Sequence, residues 1–251
     1  MSELLFNCYD KKKYPKSFFY ELNDNVIENF DLSSTSIPVV FCLNSGTEIY
    51  YADSSLQTTP YWTLIPGGLN SISVSNNQTF GVNSGGEVYY KSDYKSPYWN
   101  GLSEPTDILS QISFDGYANV VCGISKPIGT IYFADTNITT TPNWTKIPEG
   151  NLRLQYISFS KSIAFGIGLN GDDLYCIEDY KNINLKGIPW SYGQMIQVSY
   201  DGYNNILCCL TASNKLYYAN TNITTTPNWT LLQGALFINI CLLYTSPSPR
   251  D

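Results

Sequence analysis

Ile131-Tyr132-Phe133-Ala134-Asp135-Thr136-Asn137-Ile138-Thr139-Thr140-Thr141-Pro142-Asn143-Trp144-Thr145 returns 85 residues later as Leu216-Tyr217-Tyr218-Ala219-Asn220-Thr221-Asn222-Ile223-Thr224-Thr225-Thr226-Pro227-Asn228-Trp229-Thr230. An aromatic pair, a Thr-rich loop closed by Pro, and a Trp-Thr start to the next apolar run read as strand, loop, strand. The aromatic pair also recurs between and before these copies, as Ile49-Tyr50-Tyr51, Val88-Tyr89-Tyr90 and Leu174-Tyr175-Cys176, with steps of 39, 43, 43 and 42 residues along the chain. Trp62, Trp99, Trp144, Trp190 and Trp229, all the tryptophans of the chain, fall one to a repeat, and the alignment places them at one position in the frame. A period near forty residues announces a repeat architecture.

Each unit reads as four short strands, a to d. Strand a alternates, as in Gln111-Ile112-Ser113-Phe114 and Gln197-Val198-Ser199-Tyr200. The turn after it carries Asp115-Gly116 or Asp201-Gly202, where Gly is expected to supply the positive φ of a tight hairpin. Strand b is nearly continuous apolar sequence (Asn119 to Ile124), strand c holds the aromatic pair, and strand d starts at the Trp. Pro66 with Gly67, and Pro148 followed by Gly150, end strand d. Four strands in about 40–45 residues make one propeller blade. The units alternate in type. Those with Asp-Gly-Tyr-x-Asn (115–119 and 201–205) carry the Thr-Asn-Ile loop, and those between carry Asp93-Tyr94-Lys95 or Asp179-Tyr180-Lys181, as tandem duplication of a blade pair would leave them.

The expected architecture is therefore all-β: a single six-bladed β-propeller over residues 1–240. Five complete four-stranded blades are expected at 25–67, 68–104, 105–150, 151–191 and 192–234. A ring without free edges needs the two ends of the chain to share a sixth. Residues 1–24 read as weakened strands c and d of that composite blade, with Leu5-Phe6-Asn7 for the Tyr pair and Phe18-Phe19-Tyr20 for Tyr98-Trp99. Residues 235–240 read as its strand a. Its strand b is missing. Cys241-Leu242-Leu243-Tyr244-Thr245-Ser246-Pro247-Ser248-Pro249-Arg250-Asp251 stands in its place and resembles a translated sequencing-library adapter, so 241–251 is expected to be a non-native tail and the ring incomplete.

Composition narrows the function. Aromatic residues make up 15% and charged residues only 14%, and the net charge of −7 opposes a polyanion such as nucleic acid. Lys11-Lys12-Lys13 is the one dense basic run and reads as a solvated loop. No stretch suits membrane insertion, and Met1 to Cys8 lacks the basic and apolar regions of a signal peptide. Histidine is absent, which removes the commonest general base and metal ligand. Asp172, Asp173, Glu178 and Asp179 lie in turns and recur irregularly, unlike the spaced carboxylate pair of a glycosidase. The expectation is a binding protein that is not an enzyme, with no metal and no cofactor. Cys42, Cys122, Cys208 and Cys209 sit in strand b as small hydrophobes, which suits a reducing compartment. The chain is expected in the cytoplasm, or at the cell surface after unconventional export. The sequons at Asn77, Asn137, Asn143, Asn222 and Asn228 carry little weight in so Asn- and Thr-rich a chain.

Two sets of residues are candidate ligand contacts. Asp115, Tyr117 and Asn119, with Asp201, Tyr203 and Asn205, gather a carboxylate, a phenol and an amide at one rim, which suits a sugar; the alternative is that they only shape the turn. Trp62, Trp144 and Trp229, with Trp99 and Trp190, could stack on sugar rings; the alternative, favoured for any repeated apolar residue, is packing between blades.

Trp62-Thr63-Leu64-Ile65-Pro66-Gly67-Gly68-Leu69-Asn70-Ser71-Ile72-Ser73-Val74, continuing to Gly81-Val82-Asn83-Ser84-Gly85-Gly86-Glu87-Val88-Tyr89, resembles the tectonin repeat. That pattern runs Trp-x-x-Ile-Pro-Gly-x-Leu-x-x-Ile-Ser-Val and then Gly-Val-Asn-x-x-Gly-x-Ile-Tyr. The chain departs from it at Glu149, and before Pro189, where the Trp-x-x-Ile-Pro order is lost. The resemblance implies a six-bladed lectin of innate defence that binds glycans, including bacterial lipopolysaccharide and O-methylated sugars. The competing class is a non-enzymatic scaffold for protein interactions, since a propeller fixes no single function.

Overall fold

Alternating and continuous apolar runs punctuated by turns every few residues favour consecutive antiparallel pairing, and the described residues follow that rule. The computed structural model describes residues 27–33, 39–44, 46–52, 61–75, 77–147, 153–181, 185–202 and 205–232. The first sheet contains β1 (Ile27–Ser33), β2 (Val39–Asn44), β3 (Glu48–Ala52) and β4 (Thr63–Gly68). The second contains β5 (Ser71–Ser75), β6 (Gln78–Val82), β7 (Val88–Lys91) and β8 (Asn100–Gly101). The third contains β9 (Leu109–Asp115), β10 (Val120–Ser125), β11 (Ile131–Ala134) and β12 (Thr145–Lys146). The fourth contains β13 (Leu154–Ser160), β14 (Ile163–Gly168), β15 (Leu174–Ile177) and β16 (Leu185–Ile188). The fifth contains β17 (Met195–Asp201), β18 (Ile206–Thr211), β19 (Leu216–Ala219) and β20 (Thr230–Leu232).

All five sheets are four-stranded meanders in chain order, the blades of a propeller. Their first strands pack in the succession β1, β5, β9, β13, β17. The described residues thus hold five sheets, not six. The segments expected to form the composite blade, 1–24 and 235–240, lie outside the described residues, as does the tail 241–251.

The core lies in the seams between blades. Between the second and third, Phe80 and Tyr90 meet Phe114, with ring centroids 5.0 and 4.6 Å from Phe80. Ile138 from the next loop closes that seam, and Ile223 closes the seam between the fourth and fifth. Strand β10 is buried along its whole length, as a continuous apolar run in the middle of a blade must be. Buried Cys122, Cys208 and Cys209 behave as the expected small hydrophobes, and buried Cys176 on β15 joins them. Burial pushes the Cys176 thiol up to about 12. The side chain of Cys42 is outside the described residues.

Hydrophobic seams alone would leave the inner strands' backbone groups unpaired, and small polar side chains complete them. Ile112 N and Phe114 N donate to Ser71 Oγ and Ser73 Oγ of the preceding blade at 3.1 and 2.9 Å. Phe159 N donates to Ser113 Oγ at 3.1 Å, and Tyr200 N to Ser158 Oγ at 3.0 Å. Gln111 acts as a double clamp: its Oε1 accepts from Ile157 N at 2.8 Å and its Nε2 donates to Ile157 O at 2.9 Å. The turns between strands b and c tie the other end. Leu154 N donates to Gly129 O and Met195 N to Gly171 O, at 3.0 and 2.7 Å. Both glycines have left-handed φ, 76° and 77°, and a Cβ on either would lie within 2.6 Å of a backbone oxygen of the next blade.

Two sequence expectations are corrected. In the turns after strand a, the left-handed residues are Asn119 and Asn205, each with φ of 55°, rather than Gly116 or Gly202. Asn tolerates that conformation because its short side chain can bond locally. Gly202 is needed for space instead, since a Cβ there would lie 2.8 Å from Ser160 Oγ. The second correction concerns Trp190. Pairing of Ile49 with Ile65 and of Leu174 with Ile188 makes Leu185 the counterpart of Trp62. Trp190 follows β16, outside the tryptophan frame.

Candidate functional site

In every blade the a–b turn and the c–d loop emerge at the same end, because strands a and c run together and b and d return. One face of the ring is therefore built from the Asp-Gly-Tyr turns, the Thr-Asn-Ile loops and the Asp-Tyr-Lys loops. Asn205 Nδ2 reaches Asn220 O across this face at 3.4 Å.

The rim carboxylates are committed to structure. Asp115 is buried; its Oδ1 accepts from Tyr117 N and its Oδ2 from Ser162 N of the next blade, both at 2.9 Å. Asp201 is equally buried. Tyr117 and Asn119 are exposed at the turn, and Asn205 is exposed at its counterpart. Tyr203 is outside the described residues. The turn thus brings Asp115, Tyr117 and Asn119 together, but withdraws the carboxylate from the surface.

The tryptophans act as cross-blade braces. Trp99 Nε1 donates to Pro66 O at 3.0 Å, Trp144 Nε1 to Ser103 O at 2.8 Å, and Trp229 Nε1 to Pro189 O at 3.3 Å, each on the preceding blade. Trp62 is half-buried at the start of β4. Trp190, freed from the frame, stands edge-on to Trp229 with centroids 5.0 Å apart and joins Tyr192 and Tyr217 in an aromatic cluster. The packing alternative accounts for Trp99, Trp144 and Trp229.

A cavity of about 270 Å³ lies on this face between the third and fourth blades, lined by Phe133, Asp135, Thr145, Lys146, Ile147, Tyr180 and Lys181. Asp135 follows β11, Thr145 and Lys146 form β12, and Tyr180 and Lys181 come from the next c–d loop. Tyr180 rests 5.2 Å from the Phe133 ring and donates its hydroxyl to Asp135 Oδ2 at 3.1 Å. Lys181 Nζ pairs with the same oxygen at 2.7 Å and lies 5.4 Å from the Tyr180 ring centre. The Lys181 ammonium holds the Asp135 carboxyl below its ordinary range, and Asp135 in turn raises Lys181. Burial and the bond to Asp135 raise the Tyr180 phenol.

The tyrosine–lysine part of this arrangement recurs between the first and second blades. Tyr94 packs 5.3 Å from Tyr51, and Lys95 Nζ lies 5.4 Å from the Tyr94 ring centre. Lys95 N donates to Asp93 Oδ1 at 3.0 Å as Lys181 N does to Asp179 Oδ1 at 2.9 Å. The large residue beneath has changed strands. Phe41 on β2 faces Val74 on β5 in one seam, and Cys122 on β10 faces Phe159 on β13 in the other. One phenylalanine is kept in each seam, and the loop tyrosine lies edge-on to it with ring centroids 5.8 Å apart in both. Sequence reading found the Asp-Tyr-Lys triplets as a mark of blade type; their alternation with buried Ile138 and Ile223 was the available signal that they line a different kind of seam.

The tectonin domain family model matches residues 31–241. Among solved structures, the fold is similar to a chain of "Crystal structure of Nidogen/Laminin Complex", with TM-score 0.71, 14% identity, and coverage of 91% of this chain and 89% of that one. It is also similar to a chain of "YCF48 bound to D1 peptide", with TM-score 0.57, 13% identity, and coverage of 90% and 73%. At such identities the likeness concerns the fold alone. None of the curated proteins compared matches the chain in sequence. With the family match spanning most of its length, the chain belongs to the tectonin domain family.

Proposed function

We propose that this tectonin propeller is a multivalent, non-enzymatic lectin for surface glycans, with the bacterial lipopolysaccharide and O-methylated sugars implied by the tectonin resemblance as its ligand classes. The observation that carries the reading is the duplicated seam: Tyr94 with Lys95 and Tyr180 with Lys181, in like geometry, on one face. A sugar offers an apolar ring face and paired hydroxyls; the second seam presents the half-buried Tyr180 beside Lys181, and the first presents exposed Lys95 over the buried Tyr94. The exposed Tyr117 extends the same face. Binding of the full chain to a glycan array, lost in the double variant Lys95→Ala with Lys181→Ala, is the expected result. A folded chain that binds no glycan overturns the reading and leaves the protein-interaction scaffold, for which exposed Tyr61 and Tyr98 on the outer edge would be the first contacts to test.

The proposal includes a ring of six. β17 makes no contact with β1 comparable to those between successive first strands among the described residues, which leaves an arc for a blade shared by 1–24 and 235–240. Removing residues 2–24 is expected to lower the melting temperature by several degrees; an unchanged melt argues for five blades. The buried thiols fit a reducing compartment, and glycan found on Asn143 of the native protein would place the chain in the secretory route instead.

A further inference from the structure

We infer that the face opposite the ligand rim docks a second copy of this chain, turned by a half-turn about the seam between the third and fourth blades. The dimer is independent of what the ligand rim binds.

The b–c turns and the connections from strand d to the next strand a build that opposite face. Among the described residues, the exposed isoleucines and leucines outside strand d, Ile108, Ile128, Leu169 and Ile196, all lie there. The repeat does not demand them. Ile108 precedes buried Leu109 where Arg153 precedes Leu154 and Gln194 precedes Met195. Ile196 sits at the strand a bulge that Ser110 and Gln155 occupy in the third and fourth blades. The first three form a strip across two blades: Lys126 N donates to Ile108 O at 2.8 Å, and Leu169 Cδ2 lies 3.1 Å from where a Cβ on Gly129, next to Ile128, would sit. Single exposed apolar residues need no explanation, but a strip of them marks a contact surface.

Charge decides what fits the strip. Successive b–c turns from the second blade to the fifth carry Glu87, then Lys126, then Asp172 with Asp173, then Lys215, all exposed, so the sign alternates around the arc. Lys126, Asp172 and Lys215 make no ion pair among the described residues. A half-turn about an axis along the seam between the third and fourth blades lays the third blade's turn on the fourth's of the other copy, and the second's on the fifth's. Lys126 then meets Asp172 and Asp173, Glu87 meets Lys215, and the aliphatic strip crosses its own copy, each contact occurring twice as a two-fold interface requires. An anionic lipid surface fits less well, because acidic residues outnumber basic ones on these turns. In such a dimer the two ligand rims point apart, so on the lectin reading one dimer bridges two surfaces.

The test is sedimentation velocity of the full chain over a range of concentrations. A dimer is expected at about 100 µM, and Leu169→Asp is expected to leave a monomer that keeps its fold by circular dichroism. Lys126→Glu, and the double change Asp172→Lys with Asp173→Lys, should each weaken self-association about tenfold, since each turns two attractions into repulsions. Mixed together, these two variants should pair as tightly as the unaltered chain, because each supplies the charge that the other lacks. A monomer at every concentration overturns the inference, as does a dimer unmoved by Leu169→Asp or by both charge reversals. A monomer that instead floats with phosphatidylserine vesicles through Leu169 gives the face to a membrane and overturns it too. A blank glycan array leaves the dimer standing.

Discussion

Lys91 shows how far one residue can depart from its repeat. It pairs with Thr79 across β6 and β7, where the other blades pair Val40 with Ala52, Val121 with Ala134, Ala164 with Ile177 and Leu207 with Ala219. Its side chain is fully buried, its ammonium lies 4.5 Å from the Trp99 ring centre and donates to Tyr94 O at 3.3 Å, and Thr79 Oγ1 has no hydrogen-bond partner. Burial lowers the ammonium to about 8. A cation whose folded-state value is depressed costs stability wherever it is charged in both states. That cost is fully present below about 8 and disappears as the pH rises to the unfolded value near 10.5. Replacing Lys91 by Met and Thr79 by Val is therefore expected to stabilise the chain by about 1–3 kcal/mol at pH 7, with the advantage shrinking over that window. Denaturant melts of both proteins across the range check it; a pH-independent difference would mean that the charge is not the cause. The sequence showed Lys91 as one more residue after a Tyr pair. Its burial became visible only through the strand register, as did the left-handed Asn119 and Asn205 beside a more obvious glycine.

At the level of elements, strand order and turn positions were legible because a period of two and regular punctuation leave little choice to a four-stranded meander. The inter-blade bridges were not. Ser113 and Ser158 lie on half-buried strands whose alternation looks like a simple polar face, and only a neighbouring blade reveals the N–H groups they accept. Ser113→Ala should cost about 1–2 kcal/mol by stranding Phe159 N, while exposed Ser84→Ala should change stability by less than about 0.5. Gly129→Ala should cost more than about 2 kcal/mol, since its Cβ would meet Leu154 O at 2.5 Å and its φ is left-handed. Gly101, with open space around it, is the control. If Gly129→Ala melts like Gly101→Ala, the turn is not the clasp between the third and fourth blades. For the candidate site the division is similar: the Asp-Tyr-Lys triplets were readable as sequence, but the partnership of Tyr180 with Asp135 depends on a contact between blades 45 residues apart.

The whole ring adds a property that no single seam has. Tyr94 with Lys95 and Tyr180 with Lys181 occupy alternate seams of one rigid body and face the same way, so one molecule can engage a patterned surface twice. Linking two weak sites raises surface affinity by about 10²–10⁴ over one site when both can reach ligands, with no new contact. Lys95→Ala separates the two quantities. It removes a cation from the first seam and leaves Asp135 and Lys181 at the second untouched. Affinity of the second seam for a free sugar should be unchanged, while retention on a dense glycan-coated surface should fall at least tenfold and become insensitive to further dilution of the glycan. Loss in both measurements would mean that the first seam acts on the second through the fold. Unchanged retention on the dense surface would mean that only one seam binds, and the duplication of the blade pair would then have served the packing of Tyr94 against Tyr51 rather than recognition.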